Sequence, residues 1–187
     1  YSGGYDFTLE PRRLGRGAVE EYGVAAEDGR EAVMEVVLDD DLTIRTKFII
    51  TGAGLRALHE VRNEGTHPVE IAPVCNPEWT LDAFGPDARL TLRLPDGSEA
   101  AEPINPESRR QRDLTWAKSD RPAGMWRLES ARSDLSVTAT FPAEAVDHTR
   151  MQLRGGSVKL QHGFRPITLA PGESAQFESA WEFGQKR

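Results

Sequence analysis

Hydrophobic and polar residues alternate one by one along much of the chain, which is the period of a half-buried β-strand. In "LTIRTKFII" (42–50), Thr43, Arg45 and Lys47 face away from the apolar side chains. One apolar and one polar face per strand is what two packed antiparallel sheets require, so we predict an all-β antiparallel sandwich. The predicted inward residues are Leu42, Ile44, Phe48, Ile50, Leu90, Leu92, Leu94, Leu135, Val137, Ala139, Phe141, Phe177, Trp181 and Phe183.

Short turn signals separate these strand patterns. "EDGR" (27–30) and "PDGS" (95–98) contain Asp-Gly pairs, and "APGES" (170–174) contains Pro-Gly. Glycine adopts positive φ without steric cost, and aspartate bonds to its own turn backbone. Strands joined by such turns favour a sandwich over an α/β fold.

Residues 99–126 do not fit the strand rhythm, and we expect one long irregular insertion there. Within it, 105–117 carries helix-start signals, because Asn105 is a good cap, Pro106 suits the first helical position and Glu107 the first turn. The segment has few apolar residues, so we predict a polar loop with a short helix. Long loops inside compact domains often carry function.

The length and the net charge of the chain limit the classes of function that it can have. A chain of 187 residues fits a single domain spanning residues 1–187. Its formal net charge of −7 argues against nucleic acid as a partner. No apolar run approaches the ~20 residues of a membrane span, so we expect no membrane partner. Cys75 is the single cysteine, and we expect it to be a buried thiol.

Cellular location stays open between secreted, periplasmic and cytoplasmic. No signal peptide is visible, and the chain begins at Tyr1 rather than Met. We therefore expect a processed, trimmed or excised piece of a larger protein.

Two blocks of sequence have a recognisable pattern of strands and turns. The first runs from "LTIRTKFII" through "VRNEG" (61–65) to "APVCNPEWTL" (72–81), and the second is "ITLAPGESAQFESAWEF" (167–183). Together they resemble the galactose-mutarotase-like β-supersandwich domains of carbohydrate-active proteins. Similar turns occur in other sandwich modules of bacterial extracellular proteins. The resemblance implies a supersandwich, and because such domains are usually longer, a reduced version or a fragment.

The resemblance also implies that the catalytic pair of the mutarotases is missing. Those enzymes use a histidine acid, carried in a His-Pro-aromatic segment, and a glutamate base. Here the matching stretch is Asn76-Pro77-Glu78-Trp79, and an amide does not exchange a proton near pH 7. The family's late glutamate motif has no clear counterpart. We therefore predict a non-catalytic, accessory or substrate-cleft domain whose partner is a saccharide.

The candidate ligand-binding residues combine polar groups with tryptophans, because aromatic faces stack on sugar rings while amides and carboxylates bind hydroxyls. We expect no cofactor, and no metal, since no two histidines have a ligand spacing. The candidates are Asn76, Glu78 and Trp79 at a strand end, with Trp116, Trp126 and Arg127 at the edge of the insertion.

Two alternatives stay open. The chain could be a sugar epimerase, lyase or hydrolase that uses Glu78 with His162, although His162 is in phase with Val158 and Leu160 as a core histidine would be. It could instead be a structural or interaction module that packs on neighbouring domains or on a second copy of itself. The strand pattern "EAVMEVVL" (31–38), which is apolar on both sides, favours that role.

Overall fold

The computed structural model describes residues 4–10, 18–24, 30–38, 42–81, 84–85, 87–104, 112–117, 120–130, 134–154 and 156–185. These residues form fifteen β-strands and no α-helix, so none of the described segments is a helix able to cross a membrane. The strands are β1 (Gly4–Glu10), β2 (Ala18–Val24), β3 (Glu31–Leu38), β4 (Leu42–Ile50), β5 (Gly54–Asn63), β6 (Val69–Thr80), β7 (Ala88–Arg93), β8 (Glu99–Ile104), β9 (Arg112–Ala117), β10 (Met125–Ser130), β11 (Leu135–Thr140), β12 (Val146–Arg154), β13 (Ser157–Phe164), β14 (Ile167–Leu169) and β15 (Ser174–Gln185).

The strands form two antiparallel sheets packed as a sandwich, which confirms the predicted fold class. The six-stranded sheet has the order β1-β6-β13-β12-β9, and β14 also pairs with β6. The nine-stranded sheet has the order β2-β3-β4-β5-β15-β11-β10-β7-β8. The strand β6 is twelve residues long and pairs along its length with β1, β13 and β14.

One hydrophobic core lies between the sheets. Trp126 and Trp181 of the nine-stranded sheet are its largest side chains, with 0% and 2% of their surface exposed. They pack in one cluster with residues of the six-stranded sheet such as Leu9, Ile71 and Cys75. The alternation read from the sequence therefore identified the inner face of the four strands to which it was applied, β4, β7, β11 and β15.

Three predicted core residues are exposed instead. Ile50 is 56% exposed, Leu135 39% and Phe183 50%, and each lies at or near the end of its strand. Their side chains have the inward phase, but the strand ends are less completely covered than the strand centres. Every residue of β3 from Glu31 to Val37 is half-buried, so both faces of that strand are partly exposed.

The expected insertion at 99–126 contains strands. The segment 99–104 is β8, which pairs with β7, and 112–117 is β9, which pairs with β12 in the other sheet. A helix over 105–117 is therefore wrong for its second half, where Leu114 and Trp116 alternate with Asp113 and Thr115. The capping residues at 105–107 lie outside the described residues.

The predicted turns at 95–98 and 170–174 are present. Gly97 and Gly172 have φ of 84° and 78°, as a tight turn requires. The first turn is also fixed by Asp96, which accepts hydrogen bonds from the backbone N–H and the hydroxyl of Ser98 at 2.9 and 2.6 Å. These bonds hold the pKa of the Asp96 carboxyl below its usual value. The turn at 27–30 lies largely outside the described residues.

Candidate functional site

Asn76 and Glu78 lie on the outer face of the six-stranded sheet. Successive residues of a strand point to opposite sides, and in β6 the core-facing set includes Ile71, Cys75 and Trp79. The alternate residues Val74, Asn76 and Glu78 therefore point away from the core. Of the polar residues predicted as a site, Asn76 and Glu78 are brought together.

The strand register aligns three rows of outward residues across this sheet, which we call the polar face. The first row is Glu78, Lys159, Gln152 and Asp113; the second is Asn76, Gln161, Arg150 and Thr115; the third is Val74, Gly163, His148 and Ala117. Most of these side chains carry hydrogen-bonding groups, and several are only partly exposed. The face is therefore a dense polar surface with a fixed geometry.

Asn76 is buried on this face, with 6% of its surface exposed. Its Nδ2 donates to Thr8 Oγ1 at 3.0 Å and makes a long contact of 3.4 Å with the carbonyl oxygen of Val74. Its Oδ1 is also buried and accepts no hydrogen bond from any described residue. A buried, unpaired amide oxygen costs about 1–3 kcal/mol, so such atoms are uncommon in folded proteins.

Glu78 is held by two neighbours from β13. Ser157 Oγ donates to Glu78 Oε1 at 2.6 Å, and Lys159 Nζ lies 3.5 Å from Oε2. Only 11% of the Glu78 side chain is exposed. The carboxylate is therefore oriented and charge-paired, which suits it to bind a hydroxyl in a fixed direction.

The remaining charges of the polar face are also paired. Arg150 and Arg154 both approach Asp113, at 3.3 and 3.9 Å. These groups are between 41% and 57% exposed, so each ion pair contributes little to stability.

The tryptophans do not line the polar face. Trp79 points into the sandwich, where its ring meets Trp126 at 6.5 Å and Phe183 at 6.1 Å between centroids, both edge to face. Trp126 is fully buried, and Trp116 is half-buried against the core. None of the three tryptophans therefore shares the polar face with Asn76 and Glu78, although Trp79 and Trp116 keep part of their surface exposed.

Arg127 lies on the other sheet. It is an outward residue of β10, with 48% of its side chain exposed and its guanidinium 3.9 Å from Glu129. It lines a shallow cavity of about 320 Å³ together with Glu182 and Thr138. Arg127 and Asn76 are thus separated by the whole sandwich and do not form one site.

Glu78 and His162 lie on opposite faces of one sheet. His162 pairs in register with Cys75 and is fully buried in the core, with Nε2 2.6 Å from Ser179 Oγ and its ring stacked on Phe141. Burial lowers the pKa of His162 to about 3, with smaller contributions from His59 and His148. The structure therefore does not bring together Glu78 and His162, the two groups that the sequence offered as a catalytic pair.

Several residues of the polar face escaped the sequence analysis, namely His148, Arg150, Lys159 and Gln161. A signal for them exists, because in "VDHTRMQLR" (146–154) and "SVKLQHGF" (157–164) they alternate with buried residues. Their strands had to be placed beside β6 before they could be grouped with Asn76. Within the described segments, no cluster of three histidine, cysteine or acidic residues is arranged to hold a metal ion.

No family model and no curated protein matches the chain by sequence. Solved structures match it closely in shape. A galactose mutarotase-like protein from Lactobacillus casei aligns with a TM-score of 0.65 and 14% identity, over 87% of this chain and 73% of its own. An aldose epimerase homologue from C. elegans aligns with a TM-score of 0.66 and 12% identity, over 90% of this chain and 70% of its own.

The chain has the galactose-mutarotase-like fold. This confirms the resemblance read from "APVCNPEWTL" and the closing hairpin. A TPR-domain containing protein from Parabacteroides distasonis also aligns, with a TM-score of 0.66 and 9% identity, over 98% of this chain but 38% of its own. The galactose-mutarotase-like fold therefore also occurs as one part of a longer chain.

Proposed function

We propose that this galactose-mutarotase-like domain binds saccharides without catalysing their conversion, as an accessory domain of a carbohydrate-active protein. The binding surface is the polar face around Asn76 and Glu78. The observation that carries the proposal is the buried Oδ1 of Asn76, which has no hydrogen-bond donor among the described residues.

A sugar hydroxyl supplies what this surface lacks. Sugar hydroxyls both donate and accept, so one of them can donate to Asn76 Oδ1 while neighbouring hydroxyls donate to Glu78 or accept from Lys159. Glu78 is already oriented by Ser157 and Lys159, so little rotamer freedom is lost on binding.

The proposed lack of catalysis follows from the same groups. Interconversion of anomers needs one group to give a proton and another to take one. The Asn76 amide does neither near neutral pH, and the carboxylate of Glu78 is engaged by Ser157 and Lys159. The separation of Glu78 from His162 removes the other acid–base pair that the sequence offered.

The accessory role is supported by the occurrence of the fold within a longer protein that contains TPR domains. A structural or interaction module is the second candidate, favoured by the exposed Phe183, Leu135 and Ile50. The two proposals differ in one result, because an interaction module has no reason to bind a sugar through the polar face.

Calorimetric titration with D-galactose, D-glucose and cellobiose tests the proposal. We expect millimolar binding by the wild type and a loss of at least ~10-fold in Asn76→Leu, which removes the unpaired acceptor. Glu178→Gln is the matched control, because Glu178 pairs with Arg56 on the nine-stranded sheet and its loss should leave affinity unchanged. Absence of binding by the wild type to all three sugars would refute the proposal.

The same sugars separate accessory binding from catalysis. Polarimetry of freshly dissolved α-D-galactose should show the uncatalysed rate of mutarotation in the presence of the domain. A rate that rises in proportion to protein concentration would overturn the non-catalytic assignment while leaving the binding face intact.

A further inference from the structure

His148 occupies an unusual position on the polar face. It is an outward residue of β12, next to a register irregularity between Val146 and His148, and it pairs with Gly163 of β13 on one side and Ala117 of β9 on the other. Its side chain is 29% exposed. The imidazole is therefore neither a core group nor a fully solvated one.

The imidazole lies flat over Gly163. A Cβ on Gly163 would lie 2.7 Å from Nε2 and 2.8 Å from Nδ1 of His148, and closer still to Cε1. The similar distances to three ring atoms show that the ring turns a face, not an edge, to the glycine. Only a residue without a side chain leaves room for this contact, so Gly163 sets the orientation of the ring.

The third row of the polar face has the shortest side chains beside His148, so it forms a shallow trough in that face. Val74, Gly163 and Ala117 are small, whereas Gln161 and Arg150 of the neighbouring row are long. A flat imidazole in this trough has one face on the glycine backbone and directs its exposed part outward. Asp147 is the described acidic group beside it, with Oδ2 3.5 Å from Nδ1.

We propose that His148, laid on Gly163, is the platform on which the sugar ring stacks. This inference rests on the proposed saccharide-binding function and names the ligand surface that the buried tryptophans do not provide. Planar aromatic rings stack on the C–H face of a pyranose, and imidazole is such a ring.

The distance between the His148 ring and the Asn76 amide suits a single sugar ring. Gly163 and Asn76 lie on adjacent strands and two residues apart in register, which corresponds to on the order of 8 Å. A hexose with its hydroxyls spans that distance. A ring stacked on His148 thus directs an edge hydroxyl toward Asn76 Oδ1, whose burial requires a local side-chain adjustment when the ligand enters.

Variants of both partners test the platform, with D-galactose, D-glucose and cellobiose as the ligands. His148→Ala should weaken binding about 3- to 10-fold, and His148→Phe, which keeps a flat ring, should stay within about 2-fold of wild type. Gly163→Ala should weaken binding by a similar factor although the imidazole is still present, because the new methyl group displaces it. Saturation-transfer NMR should show the ring C–H protons of the sugar contacting the wild type and losing that signal in His148→Ala.

The controls are His67→Ala, an exposed histidine in the turn before β6, and Gly52→Ala, whose Cβ would meet nothing within 4 Å. Both should bind like wild type. If Asn76→Leu loses affinity while His148→Ala stays within 2-fold of wild type, the platform is wrong and the binding face stands. If the wild type binds none of the three sugars, both proposals fail. Far-UV circular dichroism and melting temperature confirm that each variant is folded.

Discussion

Trp126 is enclosed between the two sheets, where its indole meets that of Trp79. Because it fills the core, its loss should affect stability and not ligand binding. We expect Trp126→Ala to lower the free energy of unfolding by about 3–5 kcal/mol, as large-to-small changes of buried aromatic residues do. Urea denaturation monitored by circular dichroism measures this.

Trp116→Ala is the comparison, since Trp116 is only half-buried at the edge of the core and its loss should cost less. Sugar affinity of folded Trp126→Ala, measured well below its melting temperature, should match the wild type. A variant of normal stability that had lost sugar binding would return Trp126 to the binding surface.

At the level of single residues, the sequence predicted Asn76 and Glu78, which share the polar face, together with three tryptophans and Arg127, which do not lie on it. Asn76 and Glu78 are two positions apart in β6 and share a face, whereas Trp79 is adjacent to Glu78 and must point the other way. The alternation alone therefore predicts that Trp79 and Glu78 cannot lie on the same face of the sheet. The burial of Trp126 was readable too, since it is in phase with Leu128 in β10.

The turn between β14 and β15 is an element whose geometry depends on one glycine. Gly172 has a φ of 78°, and its N–H donates to the carbonyl oxygen of Asn63 at 2.8 Å. A side chain is disfavoured there, so Gly172→Ala should cost about 1–2 kcal/mol of stability. Urea unfolding of Gly172→Ala beside Gly52→Ala, which should change stability by less than ~0.5 kcal/mol, measures the difference. Equal stability of the two variants would show that the turn tolerates another conformation.

Among the strands, β9 shows why a short edge element is hard to read from sequence. It has six residues, only two of which are apolar residues with the inward phase, and it follows a polar segment that begins with helix-capping residues. Local signals therefore favoured a loop or helix. The pairing of β9 with β12, which lies some thirty positions later in the sequence, outweighs them, because the ladder hydrogen bonds and the packing of Leu114 and Trp116 come from distant residues.

At the scale of the whole molecule, the sandwich was predictable but the strand order was not. Alternation gives each strand an inner face, whereas paired residues are 112 to 128 positions apart in β5 and β15 and 77 to 89 positions apart in β6 and β13. The polar face exists only because β12 and β13 return beside β6. A site assembled across strands in this way cannot be read from one segment, which is why His148 and Gly163 emerged only with the structure.

Two histidines buried in the core make the stability of the whole molecule depend on pH. His59 is 1% exposed, stacks on Phe7 and has Nδ1 2.9 Å from Thr46 Oγ1; burial lowers its pKa to about 3. Burial also lowers the pKa of His162 to about 3. In the unfolded chain both groups return to the ordinary pKa of 6.5, so unfolding at pH 5 takes up protons.

The stability of the domain should therefore be complete above pH 6.5 and fall as the pH is lowered from 6.5 toward 3. Each histidine contributes a slope of roughly 1 kcal/mol per pH unit in that range. Urea unfolding at pH 7.5, 6 and 5 measures the slope. His59→Phe, which keeps the stacking on Phe7 but cannot be protonated, should reduce this slope by about half. If His59→Phe showed the full wild-type slope, the acid sensitivity would have to come from groups other than the buried pair.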